Sequence, residues 1–134
     1  MKPKFLLLAD LDPASRDRLA EHYDIVQHER WRDQAISEDD LIAILHDLHP
    51  LVMALEAQPL TDKVLTAAAP YLKAVTSVRT TPANINLDAA RRLGIKVSSA
   101  PGRNAMAVVE MAMGLMLACA RMIPQAYADV KARN

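Results

Sequence analysis

Residues 77–86, SVRTTPANIN, follow the apolar run LKAVTSV with an arginine, two threonines, a proline and two asparagines. Where a buried strand ends, the backbone N–H groups of Arg79, Thr80 and Thr81 can turn into a crevice and bind a carboxylate. Arg79 would add charge and the threonine hydroxyls further donors. Pro82 removes one donor and sets the turn. A plainer reading uses the same letters: Asn86 caps the next helix and the threonines bond to local backbone. The residues alone do not choose between these two.

Other reactive side chains have bland explanations. His46 and His49 stand three apart near a helix C-terminus, where a cation suits the negative end of the dipole, and no third metal ligand stands nearby. No metal site is expected. Cys119 lies in an apolar helix without a base beside it and reads as a buried small hydrophobe. His22 and His28 have no evident partner, and Trp31 serves as well to anchor its loop as to touch a ligand. Glu110 interrupts AMAVVEMAMGLMLACA, residues 105–120, and must find a donor or stay wet; a salt bridge or a hydrogen bond to the preceding loop is expected.

The three glycines, Gly94, Gly102 and Gly114, are too far apart for GxGxxG or a Walker loop. The chain therefore carries no dinucleotide fingerprint of its own.

These residues must be positioned by a chain of 134 residues with 16 basic and 16 acidic side chains. That length suits one domain burying roughly two-thirds of its unfolded surface. Neutral charge without a basic run argues against nucleic acid. A lone cysteine fits a cytoplasmic protein. MKPKFLLLADLD is too short for a secretory signal, and residues 105–120 fall short of the about 20 apolar residues that span a bilayer, so no membrane is expected.

Apolar runs alternate with capped helical patterns. Strands are expected at KFLLLA (4–9), YDIVQ (23–27), LVMAL (51–55), LKAVTSV (72–78) and IKVSS (95–99). Between them, Asp12–Pro13, Ser37 with three acids behind it, Thr61 and Asn86 are helix starts. Gly94 ends the fourth helix, and Asn104 caps a long final helix reaching about residue 132, kinked at Pro124. The order βαβαβαβαβ plus a helix predicts an α/β, flavodoxin-like, doubly wound five-stranded parallel sheet covered on both faces, with a long C-terminal connecting helix. Ligands of such sheets bind beyond the carboxyl ends of the strands. The loops LDP, EAQPLT and RTTPANIN all lie there.

From Leu72 onward the chain resembles a known family. LKAVTSVRTTPANINLDAARRLGIKVSSAPGRNAMAVVEMAMGLMLACAR is similar to the NAD-dependent D-2-hydroxyacid dehydrogenases, phosphoglycerate dehydrogenases among them, and LEAQPLTDKVLTAAAPYLK suits the loop and helix before it. Residues 1–54 match in layout only. The resemblance implies a substrate-binding domain at 1–100 and an interdomain and dimerisation helix at 101–134. The Rossmann cofactor domain that holds most of the NAD or NADP, and all the catalytic residues, would lie outside this chain. It implies substrate-carboxylate contacts from Arg79, Thr80, Thr81 and Asn104, nicotinamide-end contacts from Thr80 and Val108, and structural support from Glu110 and Asn86. Thr80 and Thr81 stand where many relatives have glycines, which puts the substrate preference in question, and Asn86 stands where an aspartate is usual.

The activity implied is hydride transfer between nicotinamide and a D-2-hydroxy or 2-keto acid, with this chain alone inactive and paired as a homodimer through the 104–132 helix. An alternative is a stand-alone module that binds or senses a small carboxylate without chemistry. A receiver-like domain fits less well, because strand three ends in Glu56 where an aspartate is needed.

Overall fold

The computed structural model describes residues 2–28 and 36–133. Trp31 lies outside the described residues. The chain forms two compact units, Met1–Pro101 and Gly102–Asn134.

In the first unit the elements alternate as β1 (Lys4–Leu8), α1 (Pro13–Ala20), β2 (Asp24–Gln27), α2 (Glu38–Leu48), β3 (Val52–Leu55), α3 (Asp62–Ala68), β4 (Ala74–Ser77), α4 (Leu87–Arg92) and β5 (Lys96–Ser98). The strands pair in parallel in the order β2-β1-β3-β4-β5. The chain thus winds one way from β1 to β2 and the other way from β3 outward. The doubly wound, flavodoxin-like sheet expected from the sequence is present.

Local chemistry explains the helix starts. Asp12, Ser37, Thr61 and Asn86 sit in extended backbone, and each side chain accepts from an amide in the first turn: Ser15, Asp40, Val64 and Ala89 respectively. The Ser15 side chain, and after it the Ser15 N–H, hold the Asp12 carboxyl below its ordinary range. At the other end of α4, Gly94 adopts φ +69°, the left-handed turn that a side chain would resist.

The core is lopsided. Leu6, Leu8, Met53, Leu55 and Val75 on one face meet Leu41 and Leu45 of α2, Val64 and Leu65 of α3, and Ala89 and Ala90 of α4. The other face carries a smaller cluster, Phe5, Leu7, Ala9 and Ala54, against Leu19 of α1 and Tyr23 just before β2. Further along that face Thr76 and Ser98 are hydroxyl neighbours at 2.9 Å, exposed to solvent. Within the first unit and among the described residues, apolar packing on both faces is thus seen at β1 and β3, while Thr76 and Ser98 present hydroxyls on the second face.

The second unit corrects the long final helix. It contains two helices, α5 (Ala105–Ala120) and α6 (Ile123–Ala132), bent by 60° at the break. Met122 takes the left-handed conformation, φ 50°, between them. Pro124 is the cause: it has no N–H to donate back, and its ring collides with the carbonyl four residues earlier. The proline opens the first turn of α6 instead of kinking one rod. Among the described residues no single helix is long and apolar enough to cross a membrane; only this bent pair passes together.

Candidate anion-binding ledge at the sheet edge

The loops after β1, β3 and β4 leave the sheet at its carboxyl edge, next to the reversal of winding between β1 and β3. The β3–β4 ladder closes with Leu55 opposite Ser77, and the Val78 amide adds one more bond to the Leu55 carbonyl at 3.0 Å. There the chain turns out. The Arg79 amide donates to Oγ of Ser77 at 3.3 Å, and its carbonyl accepts from the Ala100 amide at 3.0 Å. Ser77 itself is fully buried.

Thr80 and Thr81 follow, both exposed, and their amides make no hydrogen bond among the described residues. Pro82 then supplies a carbonyl to the Ile85 amide at 3.0 Å. Of the three amides expected to form a ledge, the buried Ser77 hydroxyl takes the first, and those of Thr80 and Thr81 have no hydrogen-bond partner among the described residues. Arg79 is exposed and its guanidinium makes no ion pair among the described residues.

The loop is fastened behind the ledge. Nδ2 of Asn84 donates to the Gln58 carbonyl at 2.8 Å and reaches the Glu56 carbonyl at 3.5 Å. The Leu60 amide donates to the Asn84 carbonyl at 2.8 Å, and the Asn86 amide to the Leu60 carbonyl at 2.9 Å. Leu60 and Ile85 form a parallel bridge and are both buried. Sequence reasoning missed Asn84 and Ser77. Nothing in their local letters distinguishes them, since their partners are fixed by the sheet.

Asn86 sits at the end of this loop with its side chain on the Ala89 amide at 3.0 Å. Asn104, Val108 and Glu110 belong to the second unit. Asn104 does not cap α5: its backbone, φ −116° and ψ 10°, is outside the extended region that lets a side chain reach the first-turn amides. The start of the helix is closed instead by main-chain bonds, Ala105 to Gly102 and Val108 to Asn104, each 3.0 Å. Val108 is 57% exposed. Glu110 is exposed and makes no hydrogen bond or ion pair among the described residues, so it stays wet where a partner was expected. Cys119 is also exposed, contrary to its reading as a core residue, as are Met106, Met113, Leu115 and Met116 of the same helix.

His46 and His49 face Tyr71, with ring centroids 6.2 and 4.6 Å away. An open groove of about 530 Å³ lies at the opposite edge of the sheet, lined by Lys2, Arg16, Tyr23 and Asp24, away from the ledge.

Gly94 and Gly102 take left-handed backbone, φ +69° and +75°, and a Cβ added at Gly94, Gly102 or Gly114 would meet no described atom of the chain within 4 Å.

Comparison with known proteins decides the family. Residues 5–133 match the model of the D-isomer specific 2-hydroxyacid dehydrogenase catalytic domain. The chain belongs to the D-isomer specific 2-hydroxyacid dehydrogenase family. The chain is 35% identical to the D-3-phosphoglycerate dehydrogenase of Sus scrofa over 129 residues, 96% of the chain and 23% of that protein. It is 31% identical to the glyoxylate reductase of Thermococcus onnurineus over 127 residues, 94% of the chain and 36% of that protein. Among solved structures, the apo D-lactate dehydrogenase of Escherichia coli superposes with a TM-score of 0.68 at 20% identity, covering 95% of the chain and 39% of that enzyme, a likeness of fold. The family chain described here therefore spans well under half the length of the relatives it matches.

Proposed function

We propose that this chain is the substrate-binding part of an NAD- or NADP-dependent D-2-hydroxyacid dehydrogenase. The observation that carries the reading is that Thr80 and Thr81, exposed residues next to Arg79 in the chain, have amides with no hydrogen bond among the described residues, at the carboxyl edge of a doubly wound sheet. That is where such sheets bind ligands, and the donors suit a carboxylate.

Magnitudes set what the ledge can do. A hydrogen bond to a charged group contributes about 1.5–3 kcal/mol, so two amides and a nearby arginine give several kcal/mol in gross. Association itself costs at least about 4 kcal/mol. A small 2-hydroxy acid should therefore bind this chain at about millimolar strength at best. Tight binding and turnover need groups outside it.

In the whole enzyme the reaction is hydride exchange between nicotinamide and the substrate carbon that bears oxygen. The role of this chain is to hold the carboxylate with Arg79, Thr80, Thr81 and Asn104. Thr80 and Val108 stand toward the nicotinamide, and Asn86 supports the loop by capping α4. The glycines of this chain do not suit the dinucleotide, so its binding falls mainly to other parts of the protein. The exposed apolar side chains of α5 and α6 support pairing of two copies through residues 104–132. A single cysteine suits a cytoplasmic setting.

The test is an absorbance assay of NADH or NADPH oxidation with 2-keto acids. Purified residues 1–134 should show no turnover. The protein extended to the length of its relatives should turn over, and Arg79→Ala should raise its KM for the acid. Turnover by the 134-residue chain would contradict the assignment of chemistry elsewhere, and an unchanged KM would remove Arg79 from the site.

A further inference from the structure

We infer that Asn84 is a positioning residue for the ledge. It latches the loop after β3 to the loop after β4, so that Thr80 and Thr81 present their amides in one geometry. The functional meaning of the latch rests on the carboxylate-binding reading above; its mechanics do not.

Between the Val78–Leu55 bond and the Leu60–Ile85 bridge the two chains diverge, residues 56–59 on one side and 79–84 on the other. The longer side bulges outward, and Thr80 and Thr81 ride on the bulge. Such an excursion holds one shape only if its base is closed. The near end is closed by the last ladder bond and by Ser77. At the far end Asn84 donates through Nδ2 to the Gln58 carbonyl at 2.8 Å and the Glu56 carbonyl at 3.5 Å, while its own carbonyl accepts from Leu60. One side chain thus continues the sheet's pairing across the gap where main-chain pairing lapses.

The residue type matters. Two N–H donors on a side chain one methylene from the backbone are what this gap requires; aspartate lacks the donors and alanine lacks the group. Oδ1 of Asn84 is buried without a hydrogen-bond partner. Retaining that unpaired acceptor has a cost, which is consistent with the two Nδ2 contacts fixing how the amide faces. Preorganisation of the donors matters because ordering a loop on binding is subtracted from affinity.

The experiment is amide NMR on the 134-residue chain, comparing wild type, Asn84→Ala and Ser37→Ala. The last removes the cap of α2 and so lowers stability without touching the latch. Heteronuclear NOE values at Thr80 and Thr81 should fall in Asn84→Ala and stay at wild-type level in Ser37→Ala. In the wild type the Asn84 side-chain NH₂ protons should exchange slowly, a readout that needs no variant to fold. D-lactate is the probe of binding, and its affinity should drop about tenfold in Asn84→Ala as loop ordering is added to the binding step. Unchanged NOE values in Asn84→Ala, or fast exchange of the wild-type NH₂ group, would overturn the latch. If wild type fails to bind D-lactate, the carboxylate reading fails, and the NOE comparison still judges the latch.

Discussion

The buried hydroxyl of Ser77 lies 3.3 Å from the Arg79 amide, so a side chain of β4 occupies the first donor of the loop that follows it. This contact divides the loop into an engaged residue, Arg79, and two open ones, Thr80 and Thr81. Replacing Ser77 by alanine should release the Arg79 N–H to water at a cost of about 0.5–1.5 kcal/mol. Hydrogen exchange should quicken at Arg79 and not at Leu6 or Leu55. Exchange at Arg79 that is equally fast before and after the substitution would show that the contact does not persist in solution.

Tyr71 has a buried hydroxyl oxygen with no hydrogen-bond partner, and burial raises its pKa above the ordinary 10.0. The sign follows from desolvation, which disfavours the phenolate in the folded chain. Because the folded pKa exceeds the unfolded one, the associated stability is fully present below about pH 10 and is lost as pH rises through the folded value. Tyr71→Phe should be neutral or slightly stabilising at pH 7 and should flatten the alkaline limb of the stability curve. Urea denaturation of both proteins at pH 7 and across the alkaline range checks this; parallel alkaline limbs would contradict it.

Much of the fold was legible in the sequence because its signals are local. The four capping residues Asp12, Ser37, Thr61 and Asn86 work within three residues of themselves, and the apolar runs mark strands wherever they dock. Asn104 looks like the same signal and fails, because its backbone angles are set by the Gly102 turn and not by its own side chain. The candidate loop was visible as a cluster of polar letters, yet its working parts were not. Asn84 binds carbonyls 26 and 28 residues away, a pairing that exists only once β3 and β4 lie side by side. Pro124 was rightly seen as a disruption, but whether a proline bends a helix or starts a new one depends on the backbone just before it, here Met122, two residues earlier, in the left-handed region.

Lys63 joins α3 to α2 by reaching Asp39 at 2.7 Å and Glu38 at 3.5 Å. The hydrogen bond and charge of Lys63 hold the Asp39 carboxyl below its ordinary range, and Asp39 raises the lysine in turn. The Asp39 contribution is present above its unfolded pKa and lost as pH falls through the lowered folded value. That of Lys63 is present below 10.5 and lost above its raised one. Both groups are solvent-exposed, so salt should weaken the effect. A carboxyl ¹³C titration should find Asp39 moving back toward 3.8 in Lys63→Ala and in high salt; an unchanged titration would show that the pair is not formed.

The apolar surface of α5 gives a prediction about assembly. Sedimentation should find the chain self-associating, and Met113→Asp with Leu115→Asp should shift it toward monomer and reduce binding of a hydrophobic dye. A wild-type chain that is monomeric at every concentration and binds no dye would contradict pairing through this helix.

The central claim is that the main chain at Thr80 and Thr81 grips a carboxylate. The most direct measurement is the displacement of those two amide resonances as D-lactate is added to the ¹⁵N-labelled chain, with Thr80→Pro as the variant that deletes one donor. Saturable downfield shifts at Thr80 and Thr81, with a midpoint of about millimolar or weaker and lost in Thr80→Pro, are the expected result. Resonances that stay still at saturating D-lactate, or that move only around the Lys2–Arg16 groove, would contradict it.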